Sequence, residues 1–466
     1  MSKIFDLTEG SIFKKLVLIA LPVLLTSISQ MAYNLTDMFW IGRVDEIGLL
    51  ETDAISAIGT AGYMTWFAFG LILIAKIGTS VKVAHSVGEK NFEKVNKFAS
   101  NGLLLELTIG IVFSLILFVF KSQIISIFNI QSEQVVAYAI NYLSIVGGLL
   151  IFQFVSSGFA AINEGLGKTK VNFRIMSIGL VLNMILDPLL ILYFRLGVTG
   201  AALATVIAQA VTMGVFFLIY KLNKPRMYHF HIKSFDFATM KEIIRIGLPA
   251  GIQSIIFTSI SIVIARMVFV YGKDVMAAQR IGSQIEQFTW MIAGGFQTAL
   301  TVFVGQNFGA QQFVRIKKGM GYISLLLIPY AFLISLLLFF QAEFLMRIFL
   351  DDTLTVEYGI RYLKIISIAQ IFMMLEGIGA GLFNGVGKTK IPSISGISGN
   401  LVRIPLAIIL AKTMFEEGIW WALNVSDILK GSFLLFGSIV LLYNIQKTKN
   451  NKNKLLATNL ETPNID

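Results

Sequence analysis

Cysteine is absent from this 466-residue chain, and with it go disulfides, thiolate metal sites and thiol nucleophiles. Histidine occurs three times, at His85, His229 and His231, all in polar connecting segments. No histidine metal cluster or intramembrane His-Glu-x-x-His site can be assembled from them. Charge is scarce too: 14% of residues are Asp, Glu, Lys or Arg, against roughly 25% in a soluble domain, which excludes an ordinary water-soluble fold. What fills the chain instead is 56% hydrophobic residues at a mean hydropathy of +0.76. They form apolar runs of about 20 residues, each enough to cross a hydrocarbon core of roughly 30 Å, so the lipid bilayer is the expected solvent.

The formal charge of +11 would suggest a nucleic-acid partner in a soluble protein. Here Lys and Arg sit in short loops between apolar runs, where they report topology and argue against nucleic acid. Periodicity and run length predict an all-α polytopic membrane protein with twelve transmembrane helices, at 13–42, 54–81, 98–120, 136–162, 172–194, 199–221, 243–271, 276–304, 319–341, 358–384, 392–413 and 421–444. Loops after even-numbered helices are basic, with Lys90, Lys94 and Lys97, then Lys221, Lys224, Arg226 and Lys233, then Arg315, Lys317 and Lys318. The alternate loops are short or acidic, as at Asp45, Glu46 and Glu51, or Asp351, Asp352 and Glu357. The positive-inside bias then puts both termini in the cytoplasm of a multi-pass protein of the cell membrane. Lys14 and Lys15 precede an apolar run that continues to Ile41 without a small-residue cleavage site, which reads as a first span and not a signal peptide.

The chain repeats itself. Gly165-Leu166-Gly167-Lys168-Thr169-Lys170 returns as Gly385-Val386-Gly387-Lys388-Thr389-Lys390, each closing the fourth helix of a half. Leu21-Pro22 is echoed by Leu248-Pro249, and Asn183 with Asp187-Pro188 by Asn400 with Ile404-Pro405. These pairs divide the chain into an N-lobe at 1–221, a cytoplasmic linker at 222–242, a C-lobe at 243–445 and a polar, disordered cytoplasmic tail at 446–466. An even number of helices per half makes the lobes parallel repeats related by an axis along the membrane normal, two six-helix bodies around a central cavity. Alternating access is the natural use of that geometry. The Gly-x-Gly-Lys-Thr segments lack the spacing of a phosphate-binding loop and fall at helix-helix turns, so no nucleotide site is read from them.

A carboxylate inside a span costs several kcal/mol by most estimates, so each one is a functional candidate. Asp37 lies shortly before Arg43, and Asp187 shortly before Arg195; counted at about 1.5 Å per residue, both sit roughly 9–12 Å below the same boundary. Thr26, Gln30, Tyr33 and Asn34 form one polar stripe with Asp37, which must face the bundle interior or a water-filled cavity. Pro22 starts the stripe, leaves the Leu18 carbonyl without its helical partner and predicts a bend. Asn183 lies one turn before Asp187, and Pro188 frees the Met184 carbonyl beside them. Asp37, Asn183 and Asp187 therefore make a candidate site for a proton or for Na+. Gln30, Asn34 and Gln153 read equally as cavity lining or as interhelical hydrogen bonds.

In the second half Glu286, beside Gln284 and Gln287, and Glu376 fall near mid-membrane. Glu286 reads either as a substrate ligand or as the partner of Arg266 or Arg403. Glu106 reads as a structural acid facing a polar neighbour. The four acids Asp37, Asp187, Glu286 and Glu376, set against Arg266 and Arg403, predict an acidic cavity suited to cationic or amphiphilic organic compounds.

With these residues in view, the sequence resembles the multidrug and toxic compound extrusion (MATE) family across nearly its whole length. The resemblance rests on Leu21-Pro22, Tyr33-Asn34-Leu35-Thr36-Asp37 followed by Ile41-Gly42, the first Gly-x-Gly-Lys-Thr, Leu182-Asn183 with Asp187-Pro188, Gly200-Ala201-Ala202 with Thr205, and Val304-Gly305-Gln306-Asn307. The paired aspartates resemble the prokaryotic, DinF-like branch. The resemblance implies that Asp37, Asn183, Asp187, Thr205 and Tyr142 form an ion-coupling network and that the first helix bends at Pro22. Where the NorM-like branch has an acid in the seventh helix, this chain has Phe257. The expected function is a monomeric secondary antiporter that exports small organic compounds for H+ or Na+, with no other cofactor. A flippase for lipid-linked saccharides or peptidoglycan precursors is the rival and should show a basic cavity. An intramembrane enzyme would need a His, Cys or metal constellation that the chain lacks.

Overall fold

The computed structural model describes residues 5–49, 51–128, 130, 132–222 and 235–460, with backbone alone at 33–35, 37, 38, 46, 51, 52, 445, 446 and 448–460. The side chains of Tyr33, Asn34 and Asp37, and most of the expected linker with His229 and His231, thus lie outside the described residues.

The first half begins with α1 (Ile12–Ile41), α2 (Glu51–Gly88) and α3 (Phe92–Val119). A short α4 (Lys121–Ser126) leads to α5 (Glu133–Tyr142), which continues through a π-helical turn at Leu143–Gly147 and then bends by 42° into α6 (Ile151–Gly165). Next, α7 (Thr169–Pro188) runs into a second π-helical turn, Leu189–Tyr193, and α8 covers Gly197–Leu222. The second half follows the same order: α9 (Phe237–Phe269), α10 (Lys273–Gly309), α11 (Phe313–Phe340), a short α12 (Ala342–Arg347), and the pair α13 (Thr353–Ser367) and α14 (Gln370–Gly385), bent by 48°.

The last element, α15 (Lys390–Leu460), breaks at Phe415, whose φ of 51° no helix accommodates. Its two arms fold back on each other: Gly418 meets the backbone of Leu410, and Ser426 Oγ donates to the Gly399 carbonyl at 2.8 Å. Among the described residues nine helices are long and apolar enough to cross a membrane, and up to eleven when each bent pair counts as one span. The expected twelve requires dividing α15 at Phe415. Beyond Gln446, where a disordered tail was expected, the backbone stays helical to Leu460. A formed helix propagates far more easily than it nucleates, and no proline interrupts this stretch. Large apolar side chains such as Leu115, Phe340 and Phe436 point outward, as lipid demands.

The duplicated Gly-x-Gly-Lys-Thr segments have a local cause. Gly167 and Gly387 adopt φ of 73° and 79°, the left-handed conformation that a residue with a β-carbon rarely takes. Each stops its helix by returning amides to the last turn: Lys168 N to the Asn163 carbonyl at 2.7 Å, and Lys388 N to the Phe383 carbonyl at 2.8 Å. The threonines that follow reach the first helix of their own half. Thr169 Oγ1 donates to the Ile19 carbonyl at 3.0 Å and Thr389 Oγ1 to the Ile246 carbonyl, each three residues before the Leu-Pro proline.

The first glycines of the two motifs tie the halves to each other. Gln306 Nε2 on α10 donates to the Gly165 carbonyl at 3.1 Å, and His85 Nε2 on α2 lies 2.7 Å from the Gly385 carbonyl. The tie is reciprocal in the backbone as well: a β-carbon at Gly88 would strike the Gln306 carbonyl, and one at Gly309 the His85 carbonyl. Gln306, fully buried, also accepts from Leu7 N at 3.0 Å, while Arg315 holds the Leu7 carbonyl at 3.0 Å. The N-terminal segment is thereby clamped to the same end of the bundle.

At that end Asp236 caps α9 and pairs with Lys97 at 2.7 Å. The Lys97 ammonium, then the Thr239 hydroxyl, lower the Asp236 carboxyl from its ordinary 3.8 to about 2. A carboxyl lowered by folding stabilises the fold above its unfolded value and loses that contribution as pH falls through the folded one. Asp236→Asn is therefore expected to melt below the parent at neutral pH, with the difference closing between pH 3.8 and about 2. Gln306→Ala strands the Leu7 amide and the Gly165 carbonyl. A loss of about 2–3 kcal/mol is expected from unfolding in mixed micelles, and no smaller one for Gln306→Glu, which keeps an acceptor for Leu7 N but sets a buried carboxylate against the Gly165 carbonyl.

Candidate functional site

In the first half a cavity of about 240 Å3 is enclosed by α1, α2, α6, α7 and α8. Thr26, Gln30, Gln153, Asn183 and Thr205 all line it, so five sequence-predicted polar residues meet at one space. Thr26 turns its hydroxyl back to the Pro22 carbonyl one turn earlier at 2.8 Å, a back-bond that favours bending of the helix there. Behind this wall Asn183 Nδ2 donates to Asp187 Oδ1 at 2.9 Å, the one-turn spacing placing both on one face of α7. Asp187 is fully buried. Tyr142, also buried, stands outside the wall, and Tyr142, Asp187 and Thr205 each have further partners.

Asp187 and Tyr142 share a setting that sequence reasoning missed. Tyr142 is the residue before the π-helical turn Leu143–Gly147, and Asp187-Pro188 immediately precedes the turn Leu189–Tyr193. Such turns widen the backbone ladder and recur at functional sites. Pro188 is a sequence cue for the second; the first has none.

A larger cavity of about 470 Å3 lies between the halves. Its wall carries Lys76 and Glu164 from the first half, and Glu376 and Lys430 from the second. Lys76 pairs with Glu164 at 3.1 Å, and Lys430 with Glu376 at 3.2 Å. Lys430 also pairs with Asp427 at 2.8 Å, and Asp427 with Arg403 at 2.6 Å, forming a buried chain of alternating charge. Of these groups only Glu376 and Arg403 were weighed from the sequence. The signal for the others was present: Lys76 stands alone in the run Leu71–Ile77, and Asp427 and Lys430 are one helical turn apart. The central cavity is therefore not the acidic one expected from the buried acids alone, because lysines on its wall pair with its carboxylates.

Glu286 forms no ion pair among the described residues, because Arg403 is taken by Asp427. Its carboxylate accepts from Tyr362 Oη at 3.3 Å and Gln370 Nε2 at 3.4 Å. Tyr362 packs edge-on against Trp420, which donates to Gln279 Oε1 at 2.8 Å. Gln284 and Gln287 are exposed, and neither they nor Glu286 line the two cavities. Glu106 is fully buried on α3, and neither of its oxygens meets the polar neighbour expected for it.

A buried chain of ion pairs reacts strongly to losing one member. Arg403→Met is expected to destabilise by roughly 3–5 kcal/mol in detergent unfolding, and Arg403→Met/Asp427→Leu by clearly less, because the second change removes the orphaned anion.

The MatE family profile matches residues 22–189 and 249–409. A probable multidrug resistance protein NorM of Thermotoga maritima is 26% identical over 432 residues, covering 90% of each chain. A multidrug export protein MepA of Staphylococcus haemolyticus is 26% identical over 436 residues, 91% of this chain and 93% of that one. An outward-facing structure of a multidrug resistance MATE family transporter of the MOP superfamily superposes with a TM-score of 0.88 at 18% identity, covering 96% of this chain and 99% of that one.

Proposed function

We propose, for a chain that belongs to the MatE family and is a membrane transporter, that it exports small organic compounds in exchange for H+ or Na+ through the aspartates of its first half. The observation that carries this reading is the cavity that brings Thr26, Gln30, Gln153, Asn183 and Thr205 together in front of the buried Asn183–Asp187 pair. Multidrug export is the activity for which the relatives are named. In the proposed cycle Asp37 and Asp187 take up the ion from outside, α1 bends at Pro22, and the compound leaves outward. Release of the ion to the cytoplasm resets the lobes. The gradient supplies the energy, so the cycle uses no nucleotide.

Cationic or amphiphilic compounds remain the proposed cargo, and the setting is the cell membrane, with both termini cytoplasmic and a monomer as the working unit. The division into lobes at 1–221 and 243–445, joined by the linker and followed by the polar tail, belongs to the same proposal. The rival flippase reading needs unpaired cations for a pyrophosphate headgroup. Both lysines on the central cavity already hold carboxylates, which favours export.

Everted vesicles under an imposed proton or sodium gradient, loaded with a fluorescent amphiphile, test the reading. Asp187→Asn and Asp37→Asn are each expected to lower gradient-driven transport by at least about tenfold, equivalent to ~1.4 kcal/mol. The gradient that drives the parent identifies the ion. Parental rates in both variants under both gradients would overturn the assignment.

A further inference from the structure

The central cavity carries as many cations as anions, and each has its partner in the wall. On the first-half side Lys76 and Glu164 balance one another at 3.1 Å. On the other side Glu376, Lys430, Asp427 and Arg403 form two opposite pairs in one chain. The rest of the wall includes large apolar surfaces such as Phe257 and Trp290, whose rings lie 6.0 Å apart. This cavity is a built neutral site.

Neutrality of this kind selects among ligands. An organic monocation that displaces a lysine from its carboxylate leaves an ammonium without a counter-charge among apolar side chains, and one that shares the carboxylate gives the cavity a net charge. A monoanion strands a carboxylate in the same way. A stranded buried charge is the costly outcome, whatever its sign. A molecule with one basic and one acidic group avoids both. Its cation takes the carboxylate, its anion takes the displaced lysine, and every charge keeps a partner.

The two pairs are not equally free to exchange. Lys430 is held by two carboxylates and is 3% exposed, whereas Lys76 has Glu164 as its ion-pair partner and is 29% exposed. Lys76 also lines both cavities, so it stands where a ligand would pass between them. The geometry points to Lys76 and Glu164 as an exchangeable ion pair that makes the central cavity selective for amphiphiles bearing both an acidic and a basic group over simple organic cations. This rests on the transport reading above and refines its cargo.

The test uses the full-length protein in everted vesicles with a carboxylated xanthene dye and its methyl ester, which keeps the cation and loses the acid. The parent is expected to transport the acid at least about tenfold more efficiently than the ester, equivalent to ~1.4 kcal/mol. Lys76→Met leaves Glu164 without its ammonium and should reverse the order. Lys76→Met/Glu164→Leu, which buries no unpaired charge, should abolish the discrimination and serves as the second variant should the first fail to fold. An ester preferred by the parent, or an order unchanged in either variant, overturns the inference while export stands. If neither dye moves under either gradient, the transport reading itself fails, and the inference with it.

Discussion

Inside the spans an ionised side chain is costly without a counter-charge, since hydrocarbon offers none of the hydration that water would. Arg403 and Asp427 meet that demand across the two arms of α15, on opposite sides of the break at Phe415. Lys430 passes the constraint on to Glu376 of α14, and Lys76 binds α2 to Glu164 of α6. Three helix-helix registers are thereby fixed by one electrostatic requirement. The same requirement sets the character of the central cavity, whose charged wall residues Lys76, Glu164, Glu376 and Lys430 are all paired.

The scaffold is duplicated, but its chemistry is not. Thr169 and Thr389 repeat a contact to the helix before each Leu-Pro, and Gln306 and His85 repeat a contact to a motif glycine. These contacts use backbone carbonyls, which tolerate sequence divergence as long as a donor survives; glutamine in one half and histidine in the other serve alike. Titratable groups diverged freely. Asp187 faces Asn183 in the first half, whereas the corresponding place beside Asn400 holds Ile404. Among the described residues the second half has a chain of ion pairs that the first lacks.

Run length and hydropathy made the helical scaffold legible, and the repeated Gly-x-Gly-Lys-Thr marked its two halves because a left-handed helix stop calls for glycine. Helical periodicity put Gln30 on an inward face and Asn183 one turn from Asp187, whereas Thr205 was pointed to only by the family resemblance. Other features depended on partners far away in sequence. Nothing near Leu143 signals a π-helical turn, and nothing near Glu286 tells that Tyr362 and Gln370 approach it while Arg403 goes to Asp427. The polar segment past Gln446 was read from composition alone, although an established helix can carry such residues onward.

The crossed bonds from Gln306 to Gly165 and from His85 to Gly385 have a further consequence. Each half grips the other, and steric contacts at Gly88 and Gly309 brace both grips. A joint held at two crossed points opens only when both bonds give way, so duplication of the chain also duplicates its fastening.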